Sequence, residues 1–259
     1  MYDPLKLAKL IEPLVAPRAQ SIQLREYYRF RADRWYGGIA TGDVVGCNLR
    51  CGFCWSWKYS WKTKGRALLS PDDAVERIVR IAKKHRFSQA RLSGGEPTIG
   101  FNHLVSVIED LTSRGIHFVL ETNGILVGAF EEYAEKLASF HGAGIEVRVS
   151  LKGTTPEEFY KLTRAPKEYW RVQLSALEKL VRYGLEPGEE VYPAIMLSFS
   201  DEKSFTRIKR ILASIDYKLV ESIDKEYVIM YPHVEELIRM LNLHPRISFK
   251  PHEVPRDMI

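Results

Sequence analysis

The residues with the most explicit chemistry are Cys47, Cys51 and Cys54, the whole cysteine complement of a 259-residue chain, spaced C-x3-C-x2-C. Three thiolates this close can converge on one metal centre, and Gly46 and Gly52 let the loop wrap around it. An odd number of cysteines confined to eight residues excludes a disulfide framework and favours a metal site. A four-iron cubane held by three cysteines leaves one iron without a protein ligand, an open position where a second molecule can chelate. The other reading is a zinc ion completed by a histidine. Structural zinc loops usually come as two C-x2-C-like pairs, and the chain has no second pair.

Three further segments end in polar residues and glycine. Ser93-Gly94-Gly95-Glu96-Pro97 frees a backbone edge for close approach of a ligand, and the Glu96 carboxylate can accept a hydrogen bond from an amine. Taken alone, this segment reads rather as an ordinary turn before a helix. Glu121-Thr122-Asn123-Gly124 repeats the pattern. In Arg148-Val-Ser150-Leu-Lys152-Gly153, strand alternation puts Arg148, Ser150 and Lys152 on one face and the aliphatic residues on the other. Three such residues are costly against a dry core but suit a barrel lumen that holds a charged ligand.

The elements that must position these residues alternate strand with helix from Gly37 onward. Strands are expected at Gly38–Val45, Ala90–Ser93, His117–Glu121, Ile145–Leu151, Glu190–Phe199 and Glu226–Met230, the first four rich in Val, Ile or Leu as doubly buried strands are. Ser70-Pro71-Asp72 opens a helix as N-cap, N1 proline and first-turn acid, with Ala74, Ile78 and Ile81 on its apolar face. Further helices are expected near Asn102–Arg114, Phe130–Phe140, Glu168–Tyr183, Lys203–Ile215 and Val234–Leu243. Such alternation implies a parallel sheet with right-handed crossovers. Six units fall short of the eight that close a full barrel, so the expected fold is α/β, a partial (β/α)6 TIM-like barrel with its chemistry at the strand C-termini. Residues 1–36 are set apart as an N-terminal extension from a barrel domain at 37–259. Pro4–Val15 has helical spacing, and a basic, aromatic stretch runs from Arg25 to Tyr36.

Composition narrows the setting. The chain carries a net charge of +5 and 45% apolar residues, enough for one sizeable core. No apolar run is long enough for a membrane span and no signal-peptide pattern opens the sequence, so the expected location is cytoplasmic. Only four Asn and four Gln occur, a scarcity found in proteins from hot environments.

The cysteine loop, Gly-Gly-Glu-Pro after the second strand and Thr-Asn-Gly after the third together resemble the radical S-adenosylmethionine superfamily, over roughly residues 40 to 200. The compact length and Lys152 look most like the glycyl-radical-enzyme activating enzymes, such as the pyruvate formate-lyase activator. The resemblance implies a [4Fe–4S] cluster on Cys47, Cys51 and Cys54, with the methionine moiety of S-adenosylmethionine chelating the fourth iron. Glu96 with the Gly94-Gly95 backbone would hold the methionine amino group, and Lys152 its carboxylate. Phe53 would lie against adenine, and Thr122 and Asn123 would line the pocket. It further implies a flavodoxin- or ferredoxin-type electron donor, cleavage of S-adenosylmethionine to a 5′-deoxyadenosyl radical, and hydrogen abstraction from a substrate, which in the activating enzymes is a glycyl-radical partner. One departure stands out. The activating enzymes carry an aspartate beside a monovalent cation where this chain has Ser150, so Arg148 is expected to supply the cation's charge, or else to pair with Glu121.

Only three cysteines exist, which leaves none for an auxiliary cluster. Three of the five tryptophans fall in Trp55-Ser-Trp57-Lys-Tyr59-Ser-Trp61-Lys-Thr-Lys64-Gly-Arg66. With segment 25–36 this surface suits RNA or a protein partner, or it shields the metal site. The function classes left open are an activator of a glycyl-radical protein, a tailoring enzyme acting on RNA or a small metabolite, and a cluster-binding module without catalysis.

Overall fold

A computed structural model describes residues 2–255. Helix α1 (Pro4–Val15) starts at Asp3, whose carboxylate accepts from the Leu5 and Lys6 amides at 2.9 Å. Strand β1 (Arg25–Asp33) follows and pairs antiparallel with β2 (Ile39–Val44), while β3 (Ala67–Leu69) pairs antiparallel with the other edge of β1. Regular alternation then begins. Helix α2 (Pro71–His85) leads to β4 (Gln89–Gly94), α3 (Phe101–Ser113) to β5 (His117–Thr122), and the pair α4 (Ile125–Ala129) and α5 (Glu131–Ala138) to β6 (Ile145–Leu151). Helices α6 (Pro156–Thr163) and α7 (Tyr169–Arg182) precede β7 (Val191–Met196), and α8 (Glu202–Ile215) precedes β8 (Asp224–Glu226). Strand β9 (Val228–Ile229), helix α9 (Pro232–Met240) and strand β10 (Ser248–Phe249) complete the chain.

The main sheet runs β8-β7-β6-β5-β4-β2-β1-β3, and β2, β4, β5, β6, β7 and β8 pair in parallel. Six parallel strands with helices between them form the expected partial, open barrel. Helix α2 shows why the outer layer packs. Ser70 caps it by accepting from the Asp73 amide at 3.2 Å, and Ala74, Val75, Ile78, Val79 and Ala82 are buried along one stripe. Burying such aliphatic side chains stabilises by about 1.5–3 kcal/mol each for the larger ones. Ile81 lies at the margin of that stripe, half-buried.

Three elements differ from the sequence reading. The aromatic, basic stretch after residue 24 is a strand that covers the open edge of β2, with Arg29 and Arg31 paired to Asp43 of β2 and Asp33 to Arg91 of β4. The sixth parallel strand is Asp224–Glu226, and Val228–Ile229 instead pairs with Ser248–Phe249. A short helix the sequence reading lacked, α4, precedes the helix expected near Phe130–Phe140, which runs Glu131–Ala138 with Phe130 extended at φ −117°, ψ 123° between the two.

Candidate functional site

The cysteine loop leaves the C-terminal end of β2 and is laced to the tip of β4. The Gly95 amide donates to Val44 O and the Glu96 amide to Gly46 O, both at 2.8 Å. Gly46 needs its positive φ of +83°, and a Cβ there would meet Val15 Cγ1 at 2.9 Å. Cys47 Sγ accepts from the Leu49 amide at 3.3 Å and from Asn123 Nδ2 at 3.7 Å. Cys54 Sγ lies 3.4 Å from Ser56 Oγ and 3.5 Å from Ser60 Oγ. Burial pushes the Cys47 thiol up to about 12, reinforced by the negative charge of Glu96. Burial also raises Cys51, with Cys54 and Cys47 adding to the rise and Lys152 opposing it. The three sulfurs are thus near enough to repel one another as thiolates, and a bound cation would replace their protons. Among the described residues no three His, Cys, Asp or Glu converge on a single ion. A cluster, which puts each thiolate on a different iron, does not need such convergence.

Glu96 is buried and its carboxylate faces inward. Oε1 accepts from the Thr98 amide (3.2 Å), Thr98 Oγ1 (2.7 Å) and Thr122 Oγ1 (2.7 Å), and Oε2 accepts from the Asn123 amide (2.8 Å). The side chain expected to meet an amine therefore fastens the β4 and β5 tips together, leaving Oε2 with one protein donor. Asn123 also donates through Nδ2 to Asn48 Oδ1 at 2.7 Å, which ties the β5 tip to the cysteine loop. Behind Glu96, the fully buried Arg25 donates to Glu96 O and Val15 O, each at 3.1 Å, and burial pulls its pKa down to about 10.

The other half of the site lies on β6 and β8. Arg148 pairs with Asp224 at 2.6 Å and Glu226 at 2.8 Å and donates to Ser150 Oγ at 3.2 Å. Ser150 Oγ donates to Glu226 at 3.0 Å, and Lys152 Nζ stands 3.4 Å from the other Glu226 oxygen. The intervening β7 residue in register with both Ser150 and Asp224 is Ala194, small enough for side chains to meet across it. Burial works against the Glu226 charge, but Lys152 and Arg148 outweigh it and hold the carboxyl at about 2. Burial likewise opposes the Lys152 charge, and Glu226 more than offsets it, so the ammonium pKa is raised.

The expected Arg148–Glu121 pair does not form. Glu121 instead takes Arg91 at 2.5 Å, Tyr36 Oη at 2.8 Å and Ser93 Oγ at 2.9 Å, while Arg91 also pairs with Asp33 at 2.6 Å. The positive charge of Arg148 is answered by two acids on β8.

Gln173 on α7 joins the two halves. Its Nε2 donates to Asn123 O at 2.5 Å and Ser150 O at 2.9 Å, and its Oε1 accepts from the Lys152 amide at 3.1 Å. Sequence reasoning missed Gln173, although a glutamine on the apolar stripe of Trp170, Leu174 and Leu177 is a visible signal. It also missed Asp224 and Glu226 as partners of β6, because a three-residue strand shows no alternation. Phe53 is buried at the rim, 5.9 Å from Phe199 between ring centroids. Gly94 O accepts from Ser56 Oγ.

Just outside the loop, the Arg29 and Arg31 guanidiniums lie 5.7 and 5.6 Å from the ring of exposed Trp55, and the Nε atoms of both donate to buried Asp43. Tyr28 and Tyr59 stack at 4.0 Å. No helix among the described residues is long and apolar enough to cross a membrane.

Comparison with known proteins agrees with this geometry. The chain is 40% identical over 83 residues to 7-carboxy-7-deazaguanine synthase of Hyperthermus butylicus, covering 32% of this chain and 33% of that protein. It is 28% identical over 155 residues to GTP 3′,8-cyclase of Alkaliphilus metalliredigens, covering 59% and 45%. The matches thus span less than half of either relative. Among solved structures, the FeFe-hydrogenase maturase HydG from Carboxydothermus hydrogenoformans shares the fold, with a TM-score of 0.52 at 13% identity over 95% of this chain and 66% of that one. The model of the Radical SAM superfamily matches residues 43–204, from the end of β2 into α8, a span that takes in the cysteine loop and the tips of β4, β5 and β6. The chain belongs to the radical SAM superfamily, enzymes that use a [4Fe–4S] cluster and S-adenosylmethionine.

Proposed function

We propose that Cys47, Cys51 and Cys54 hold the cluster, that S-adenosylmethionine lies across the tips of β4, β5 and β6, and that the substrate is a small purine-type heterocycle. The carrying observation is the lacing of the cysteine loop to Glu96, Thr122 and Asn123 by hydrogen bonds, with Lys152 linked to the same unit through Gln173. The residues fit the cofactors. Cys51 is buried and Cys47 and Cys54 half-buried, the latter two with hydrogen-bonding groups at their sulfurs, buried Asn48 Nδ2 has no partner, and glycines at 94 and 95 let the β4 tip pass close against the cysteine loop.

When bound, the cluster supplies the electron for cleavage of S-adenosylmethionine to methionine and a 5′-deoxyadenosyl radical. The protein's part is positioning and electrostatics. Lys152 meets the ligand carboxylate, since its 3.4 Å contact is the loosest in the Glu226 cluster and Glu226 keeps Arg148 and Ser150 when Lys152 turns away. The Gly94-Gly95 edge and the one-donor oxygen of Glu96 receive the amino group. Phe53 packs on the adenine beside Phe199. The closed strand tips exclude water from a reactive radical.

Both relatives described above act, by their names, on or toward purine-type rings, which supports a heterocyclic metabolite over a glycyl-radical protein. Anaerobic reconstitution followed by reduction should yield 5′-deoxyadenosine and methionine, and GTP or a 7-deazapurine precursor should raise the yield. Cys47→Ala should lose both iron and cleavage. Cleavage that persists in Cys47→Ala refutes the cluster assignment, and a yield indifferent to every purine-type compound refutes the substrate class.

A further inference from the structure

The cations of the segment after Cys54 are not used by the chemistry above. Residues 55–66 hold four cations, Lys58, Lys62, Lys64 and Arg66, and no acid, in a chain whose whole surplus is +5. All four are exposed, and none joins an ion pair among the described residues. The inner side of the same turn carries buried Ser56 and Ser60, the two hydroxyls nearest Cys54 Sγ. A single turn of chain therefore separates a candidate cluster ligand from an unneutralised basic surface. The turn is fixed in place: Trp57 Nε1 donates to His233 O at 2.9 Å, and His233 Nε2 donates to Trp55 O at 2.6 Å.

We propose that this face docks an acidic one-electron carrier protein, which delivers the electron through the Trp57–Ser60 turn to the Cys54 side of the cluster. The proposal rests on the reading of Cys54 as a cluster ligand. One electron leaves the carrier's reduced cofactor and enters the oxidised cluster, [4Fe–4S]2+ becoming [4Fe–4S]+, with no bond made or broken. Electron transfer needs a close approach that the serine-lined turn allows, and an unpaired basic face steers an acidic partner at rates that fall with ionic strength. The tryptophans argue against RNA. Base stacking needs free ring faces, yet Trp57 and Trp61 are half-buried against each other at 5.6 Å, and exposed Trp55 already carries two guanidiniums.

The test uses full-length, cluster-loaded protein and stopped-flow bleaching of the cluster absorbance. Reduced flavodoxin serves as the acidic carrier and photoreduced 5-deazariboflavin as a small neutral reductant. In the double variant Lys58→Glu, Lys62→Glu, the flavodoxin rate should fall tenfold or more at low salt, while the deazariboflavin rate and iron content stay unchanged. The parent's flavodoxin rate should drop steeply with salt, and Lys83→Glu, Lys84→Glu on α2 should match the parent. An unaltered flavodoxin rate in the first variant overturns the proposal. So does poly(U) binding that the variant loses while its flavodoxin rate holds. Iron in the parent that deazariboflavin cannot reduce would instead refute the cluster reading, and the docking proposal with it.

Discussion

Replacing Glu226 by glutamine removes the one charge shared by Arg148, Ser150 and Lys152. A carboxyl held at about 2 rather than its ordinary 4.5 contributes about 3 kcal/mol to folding at neutral pH. Glutamine keeps an acceptor oxygen, and Arg148 keeps Asp224 at 2.6 Å, so the expected loss is about 2–3 kcal/mol rather than the full penalty of an orphaned buried charge. Because the folded value lies below the unfolded one, the stabilisation is complete above pH 4.5 and drains away as acid approaches about 2. Denaturant unfolding of parent and variant should therefore show a gap of about 2–3 kcal/mol at pH 7 that narrows by about 2 kcal/mol at pH 3. Glu121, also held at about 2, titrates in both proteins and cancels from the difference. A gap under about 0.5 kcal/mol at pH 7, or one that persists undiminished into acid, refutes the assignment of Glu226 as the anchor of this cluster.

Two further expectations concern the strand tips. Lys152→Met should weaken S-adenosylmethionine binding to the cluster-loaded protein by about 10–100-fold, the worth of one charge-assisted hydrogen bond, with iron content intact. An unchanged Kd in calorimetry removes Lys152 from the carboxylate site. Gly95→Ala drives a methyl group to 2.9 Å from Val44 O and closer still to Gly46 O, both backbone atoms that cannot swing aside. Denaturant unfolding should show a loss of about 1–3 kcal/mol, and a variant as stable as its parent contradicts the close approach of β4 to the cysteine loop.

Much of the fold was legible because its signals are local. Strands β5 and β6 are rich in Val, Leu or Ile, β2 and β4 lead into Gly46 and Gly94-Gly95, and α2 announces itself with a serine cap and a proline. What escaped was decided by pairing. The residues of β1 read as a basic surface because arginine and tyrosine tolerate water, and only the neighbouring edge of β2 makes them a strand. Asp224 and Glu226 gain meaning only through register across Ala194. Glu96 read as a ligand group, yet Thr98, Thr122 and Asn123 claim most of its lone pairs, contacts that no spacing in the sequence reveals. Helix α6, only eight residues long, carries too short an apolar stripe to stand out.

Arg25 has a consequence for how the site responds to its surroundings. Its guanidinium meets two carbonyl oxygens and, among the described residues, forms no ion pair, so the charges of Glu96 and Cys47 act on it through protein rather than water. Mobile ions screen the exposed lysines around Trp57 within about 10 Å at ordinary ionic strength. They cannot reach Arg25. The site is thus held in two fields at once: an outer one that salt can switch off, and an inner one, set by the fold, that salt cannot reach.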